Sequence, residues 1–179
     1  MYLEKDTLII DYHIVNQGNG ELPCIWTWHG LVFYEQDMEL LLSENIKHYR
    51  NVLDGSLLGK EGKVYSVQND IYDFSKMPNP KICDMVKYYG EEPSATGHCG
   101  IYYPSRNVSY HLEYDAQKLP YLGVWITAGG MQGDYNCALE PTNGYYDSIG
   151  KADKNHKLPV LCVEEVLDFT LMLTLREGK

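Results

Sequence analysis

Arginine and phenylalanine are scarce in this 179-residue chain, with three of each against sixteen tyrosines. Basic residues of both kinds number 15 against 25 acidic ones, a formal charge of −10. That field repels a phosphate backbone and leaves no basic stripe, so nucleic acid is excluded as an expected partner. No run approaches the roughly 18 apolar residues of a spanning helix, which excludes a helical membrane anchor. The opening MYLEKDTLIIDY carries acids where a signal peptide needs a basic segment before an apolar one, so the expected location is the cytoplasm. Five cysteines, Cys24, Cys83, Cys99, Cys137 and Cys162, are odd in number and include no C-x-x-C pair. They read as reduced, partly buried thiols rather than a disulfide framework or a zinc knuckle.

The common catalytic signatures are missing as well. Gly55 to Glu61, GSLLGKE, falls one residue short of a phosphate loop and ends in an acid. No G-x-S-x-G, H-E-x-x-H or G-x-G-x-x-G occurs, which removes the usual marks of serine hydrolases, zinc proteases and dinucleotide enzymes. His98 and Cys99 are neighbours, and neighbours on a strand point to opposite faces, so they do not chelate one metal together. No metal and no cofactor are expected. Asn107-Val108-Ser109 fits the glycosylation pattern but reads as a plain turn.

What is present is period-two alternation. Leu8, Ile10, Tyr12 and Ile14 share one face, Val108, Tyr110, Leu112 and Tyr114 another, and Phe169, Leu171, Leu173 and Leu175 a third. Turn clusters at Gln17–Gly20, Asp54–Gly62, Gly129–Asp134 and Asn143-Gly144 separate such stretches, and their Gly and Asn residues tolerate tight turns. The expected fold class is all-β, an antiparallel sandwich forming one domain over residues 1–179, with one short helix. That helix is placed at Pro80–Tyr89, where Ile82, Met85, Val86 and Tyr89 recur at helical spacing before Gly90. Asp37–Ser43 fits a helical turn or a strand edge, and GKADKNHK at Gly150–Lys157 reads as an exposed loop. His48, His111 and His156 are expected at the surface, and His13 outside the apolar face of its strand.

Two segments carry candidate chemistry. In Leu119–Ser148 a single carboxylate, Glu140, sits between Ala138-Leu139 and Pro141, with Tyr145 and Tyr146 beyond the next turn. A carboxylate there is either a strand-end acid bonded to turn amides or, if half-buried, a base whose proton affinity burial raises towards neutrality. In IWTWHG, Ile25–Gly30, His29 follows two tryptophans. Tryptophan faces stack on sugar rings and an imidazole can donate a proton, whereas the plainer reading is a core histidine with a satisfied hydrogen bond.

With these residues in view, three stretches resemble the galactose mutarotase-like family, the aldose 1-epimerases and their relatives. YHIVNQGNGELPCIWTWHG, Tyr12–Gly30, is similar to the family's strand, N-x-G-type turn and W-x-x-H segment. LEYDAQKLPYLGVWITAGG, Leu112–Gly130, and CALEPTNGYYDSI, Cys137–Ile149, resemble its tryptophan strand and its acidic segment ending in E-P-x-x-G. The closing KLPVLCVEEVLDFTLMLTL is compatible with it. The resemblance implies a supersandwich fold shortened on the amino-terminal side, because family domains are longer and carry further basic and histidine binding residues with no counterpart before Tyr12. It assigns the acid to His29 and the base to Glu140, acting on a monosaccharide without cofactor or metal. The proposed substrate-binding residues are Trp26, as the tryptophan of W-x-x-H, together with Trp125, Asp134 and Asn136. None of the three arginines, Arg50, Arg106 and Arg176, lies beside these in sequence, which favours a neutral sugar. A shortened sheet leaves apolar edges, which favours a homo-oligomer. Beside the enzyme stand two other readings, a carbohydrate-binding module and an interaction domain that keeps only the fold.

Overall fold

The three alternating stretches become neighbouring strands of one sheet. The computed structural model describes residues 1–179. In chain order its strands are β1 (Tyr2–Glu4), β2 (Thr7–Val15), β3 (Leu22–Pro23), β4 (Val32–Phe33), β5 (Glu39–Leu41), β6 (His48–Asn51) and β7 (Val64–Ser66). They continue with β8 (Asp84–Gly90), β9 (His98–Tyr103), β10 (Val108–Tyr114), β11 (Tyr121–Ala128), β12 (Tyr135–Thr142), β13 (Val160–Leu161) and β14 (Val166–Glu177), and the single α-helix, α1 (Ile149–Lys154), lies between β12 and β13. The first sheet has the order β1-β2-β14-β10-β9-β5 and the second β4-β12-β11-β8-β6-β7, while β13 and β3 form a separate pair. All strand pairings are antiparallel.

The two large sheets face each other over one core. From the first come Ile10, Tyr12, Leu112, Tyr114, Phe169 and Leu171; from the second come Val86, Tyr88, Leu122, Val124, Ile126, Cys137 and Leu139. Burying an aliphatic or phenyl side chain of this size stabilises the fold by roughly 1.5 to 3 kcal/mol. The alternation in β11 and β12 therefore directs Gly123, Trp125 and Thr127, and Asn136, Ala138 and Glu140, to the outer face of the second sheet.

The helix lies elsewhere than expected. Pro80–Ile82 is a short 3₁₀ turn ended by Cys83 at φ 47°, and Asp84–Gly90 is strand β8. Its Val86 and Tyr88 enter the core, and Tyr89 is equally buried on the other face. A strand buried on both sides loses its polar alternation, which is why helical spacing and strand spacing both fit its apolar residues. The helix forms instead at Ile149–Lys154, overlapping the stretch Gly150–Lys157 read as a loop; the Ser148 hydroxyl caps it by accepting from the Lys151 N–H, and only Ala152 is buried. Asp37–Ser43 resolves into edge strand β5, paired with β9. His111 is not a surface residue but is buried on the outer face of the first sheet. Of the free cysteines, Cys99 and Cys137 are buried, Cys24 is half-buried, and Cys83 and Cys162 are exposed. No helix is long and apolar enough to cross a membrane.

Candidate functional site

Glu140 lies on the outer face of the second sheet, yet its solvent exposure is 0%. Two segments cover it. The first, Cys24–Gly30, is stitched alongside the end of β12. Trp28 N–H donates to Pro141 C=O at 3.1 Å, and Thr27 Oγ1 donates to Thr142 Oγ1 at 2.8 Å. Asn143 acts as a strut: its Oδ1 accepts from Trp26 N–H at 2.7 Å and its Nδ2 donates to Cys24 C=O at 2.9 Å. The Asn-Gly pair read as a turn thus holds the histidine segment in place. The second cover is the stretch after β12, where Tyr145 and Tyr146 pack with Tyr89 and Val52.

The geometry at the carboxylate is compact. One row of paired residues crosses the sheet through Arg50, Tyr89, Gly123 and Glu140. A Cβ on Gly123 would stand 2.6 Å from Tyr89 Cζ, so only glycine lets the tyrosine lie across β11. Tyr89 Oη then donates to Glu140 Oε2 at 3.1 Å. Lys87, in the adjacent row opposite Trp125, brings Nζ to 3.4 Å from the same oxygen and to 2.5 Å from Asp147 Oδ1. The ammonium also lies 5.6 Å from the centre of the Trp125 ring. On the other side, His29 Nε2 is 3.0 Å from Glu140 Oε1. The imidazole N–H is poorly aligned for a hydrogen bond, the contact is ionic when the ring is protonated, and Oε1 has no other donor. Proximity to the carboxylate raises the His29 pKa above its ordinary value, against the lowering effects of burial and of Lys87. Burial, reinforced by the charge of Glu140, pushes the Tyr89 hydroxyl far up, so it stays protonated and a donor.

Of the sequence candidates, Glu140, His29 and Trp125 come together, with the His29 and Trp125 ring centres 6.0 Å apart. Asn136 shares the Glu140 face four residue pairs along the strand, roughly 13 Å away, opposite Thr127, and its Oδ1 is buried without a partner. Asp134 does not join them. It is exposed at the far end of the β11–β12 hairpin, roughly 20 Å from Glu140 along an extended strand, where its C=O accepts from Gly129 N–H. Trp26 is also elsewhere, packed between Tyr12 and Phe169 with ring centres 4.7 and 4.6 Å away. Alternation along IWTWHG explains this: Trp26 and Trp28 turn to the core, while Thr27 and His29 turn to the carboxylate. Reading β8 as a helix concealed Lys87, Tyr89 and, with them, Asp147. The one polar cue in DMVKYYG is Lys87 between Val86 and Tyr88, and the second tyrosine, Tyr89, breaks the alternation.

As a chemical arrangement, this is a buried carboxylate with one oxygen held by two donors and the other facing an imidazole. It contains no group of three or more His, Cys, Asp or Glu side chains that could hold a metal ion. None of the surface cavities is lined by Glu140 or His29.

No described protein family and no curated protein matches the chain in sequence. Solved structures do match in shape. A proposed aldose 1-epimerase from Escherichia coli superposes with a TM-score of 0.71 at 17% identity, over 98% of this chain and 58% of that one. A galactose mutarotase-like protein from Lactobacillus casei gives 0.68 at 18% identity, over 97% and 60%. A galactose mutarotase related enzyme from Lactobacillus acidophilus gives 0.61 at 11% identity, over 99% and 60%. The chain thus spans little more than half the length of these neighbours. Two antiparallel six-stranded sheets over a shared core, superposing on these proteins along nearly the whole chain, give it the galactose mutarotase-like β-sandwich fold.

Proposed function

We propose that the chain interconverts the α and β anomers of a free aldohexose, with Glu140 as base and His29 as acid. The observation that carries this reading is the buried Glu140 oxygen, free of an in-line donor, facing the His29 imidazole at 3.0 Å. Glu140 Oε1 takes the proton of the anomeric hydroxyl while His29 Nε2–H gives one to the ring oxygen, and the ring C–O bond breaks to leave an aldehyde and a hydroxyl. Rotation about the bond next to the aldehyde and reclosure then return the hydroxyl proton to His29, while the proton on Glu140 passes to the carbonyl oxygen, which becomes the new anomeric hydroxyl. Such paired acid and base assistance is worth about 10²- to 10⁴-fold for each group. Tyr89 and Lys87 hold Oε2, so the carboxylate keeps its orientation throughout. The Lys87–Asp147 ion pair and Tyr145 lie over this face, and a sugar enters only when they and the His29–Glu140 contact part. Trp125 supplies the apolar surface for the sugar face and Asn136 a free acceptor for a hydroxyl.

The second reading is a carbohydrate-binding or interaction domain, and the full enclosure of Glu140 favours it. Self-association over the exposed apolar edge at β1 belongs to the proposal under either reading. Magnetisation-exchange NMR between the anomers of glucose and galactose separates the two. Exchange faster than in buffer, reduced at least about 100-fold by Glu140→Gln and by His29→Asn, is the expected outcome. Exchange at the buffer rate with wild-type protein overturns catalysis, and sugar-dependent tryptophan fluorescence then supports the binding module.

A further inference from the structure

We propose that the outer face of the first sheet holds a binding site for a divalent transition cation such as zinc, with His98 and His111 as nitrogen ligands and Glu113 as the carboxylate that joins them. The site lies on the sheet opposite to the one that carries Glu140. In the β9–β10 ladder His98 pairs with Glu113 and Gly100 with His111. Alternation places His111 and Glu113 on one face of β10, and pairing brings His98 to that same face. Cys99 points the other way, into the core, so it takes no part.

Three features favour a cation at this place. First, His98 Nε2 and His111 Nδ1 are 3.0 Å apart. Two nitrogens at about 2.0 to 2.1 Å from zinc stand roughly 3.3 Å apart in a tetrahedral site, so a shift of a few tenths of an ångström admits the ion. Second, His111 Nε2 lies 2.9 Å from the hydroxyl of the fully buried Ser109. Donation of Nε2–H to that oxygen leaves the Nδ1 lone pair pointing at His98, the outer hydrogen bond that orients a ligating imidazole. Gly100 leaves this nitrogen room, since a Cβ there would lie 3.3 Å from it. Third, His98 and Glu113 line a cavity of about 720 Å³ together with Thr96 and Arg176, where water can complete the coordination.

Glu113 is held by Arg176 at 3.3 Å, in an exposed contact. As placed, no three ligating groups converge, so binding includes the turn of Glu113 from the guanidinium to the ion. Exposed ion pairs contribute little to stability, and a chain of formal charge −10 attracts the cation.

The test uses the full chain, freed of metal with a chelator and titrated with Co²⁺ and then Zn²⁺. One equivalent of Co²⁺ with visible absorption, displaced by Zn²⁺, is expected. His98→Asn or His111→Asn abolishes it, Ser109→Ala weakens it about tenfold, and Glu113→Gln weakens it while circular dichroism stays unchanged. His13→Asn and His48→Asn, whose rings lie 2.6 Å from Asp168 and Glu92, leave the binding intact. Absence of stoichiometric binding, or binding that survives His98→Asn, overturns the proposal; if His111→Asn does not fold, the half-buried His98 and Glu113 variants decide it.

Discussion

At the scale of the residue, the chemistry of Glu140 is set by a side chain that is missing. Gly123 lets Tyr89 cross β11, and Tyr89 with Lys87 holds one carboxylate oxygen while His29 stands at the other. Because the carboxylate raises the His29 pKa, the folded protein binds this proton more tightly than the unfolded chain does. The resulting stability is fully present below about pH 6.5, the ordinary histidine value, and is lost as pH rises through the raised folded value. In NMR, the His29 ring is expected to titrate above pH 6.5 in the wild type and lower in Glu140→Gln. An unchanged midpoint in that variant would show that the contact does not govern the proton. The contact of His29 with Glu140 joins two residues that the sequence singled out, because each lies in a motif. Lys87 and Asp147 were not singled out, since neither stands near Glu140 in a sequence pattern and only the sheet brings them there.

At the scale of the element, the histidine segment has little regular structure of its own and depends on β12. Asn143 supplies two of its anchors, accepting from Trp26 and donating to Cys24. Replacing Asn143 with Ala leaves the Trp26 N–H without its partner, at a cost of roughly 1 to 3 kcal/mol. In a chain of this size that lowers Tm by about 2 to 4 °C per kcal/mol. Hydrogen exchange of the Trp26 and Trp28 amides in Asn143→Ala is expected to speed up more than that of β11, because the loss is local. Equal acceleration everywhere would mean that the strut serves the whole sandwich. Strands with one dry face, β2, β10 and β14, were readable from alternation. β8 was not, because both of its faces are covered, and α1 was missed because a single buried alanine leaves no amphipathic stripe.

At the scale of the whole molecule, the first sheet extends past its cover. Met1, Leu3 and Leu175 are 82%, 71% and 60% exposed, and an apolar groove runs between Leu3, Leu8, Tyr110, Leu173 and Leu175. β1 is also an edge strand with one side of its main chain unpaired. Proteins usually cover such edges, and self-association of this chain is the expected outcome. Sedimentation should show concentration-dependent association that Leu3→Glu abolishes. A monomer at all concentrations would remove the homo-oligomer from the proposal.

The amino-acid sequence by itself determined the antiparallel strands, the acidic charge and the two segments that carry His29 and Glu140. Periodicity, charge and motif are properties of residues close together along the chain. Only the tertiary structure decided that Trp26 belongs to the core, that Asp134 stands apart, and that Lys87 and Tyr89 meet a buried carboxylate. Those outcomes depend on which strands pair and in what register, and a one-residue change of register turns every side chain to the opposite face.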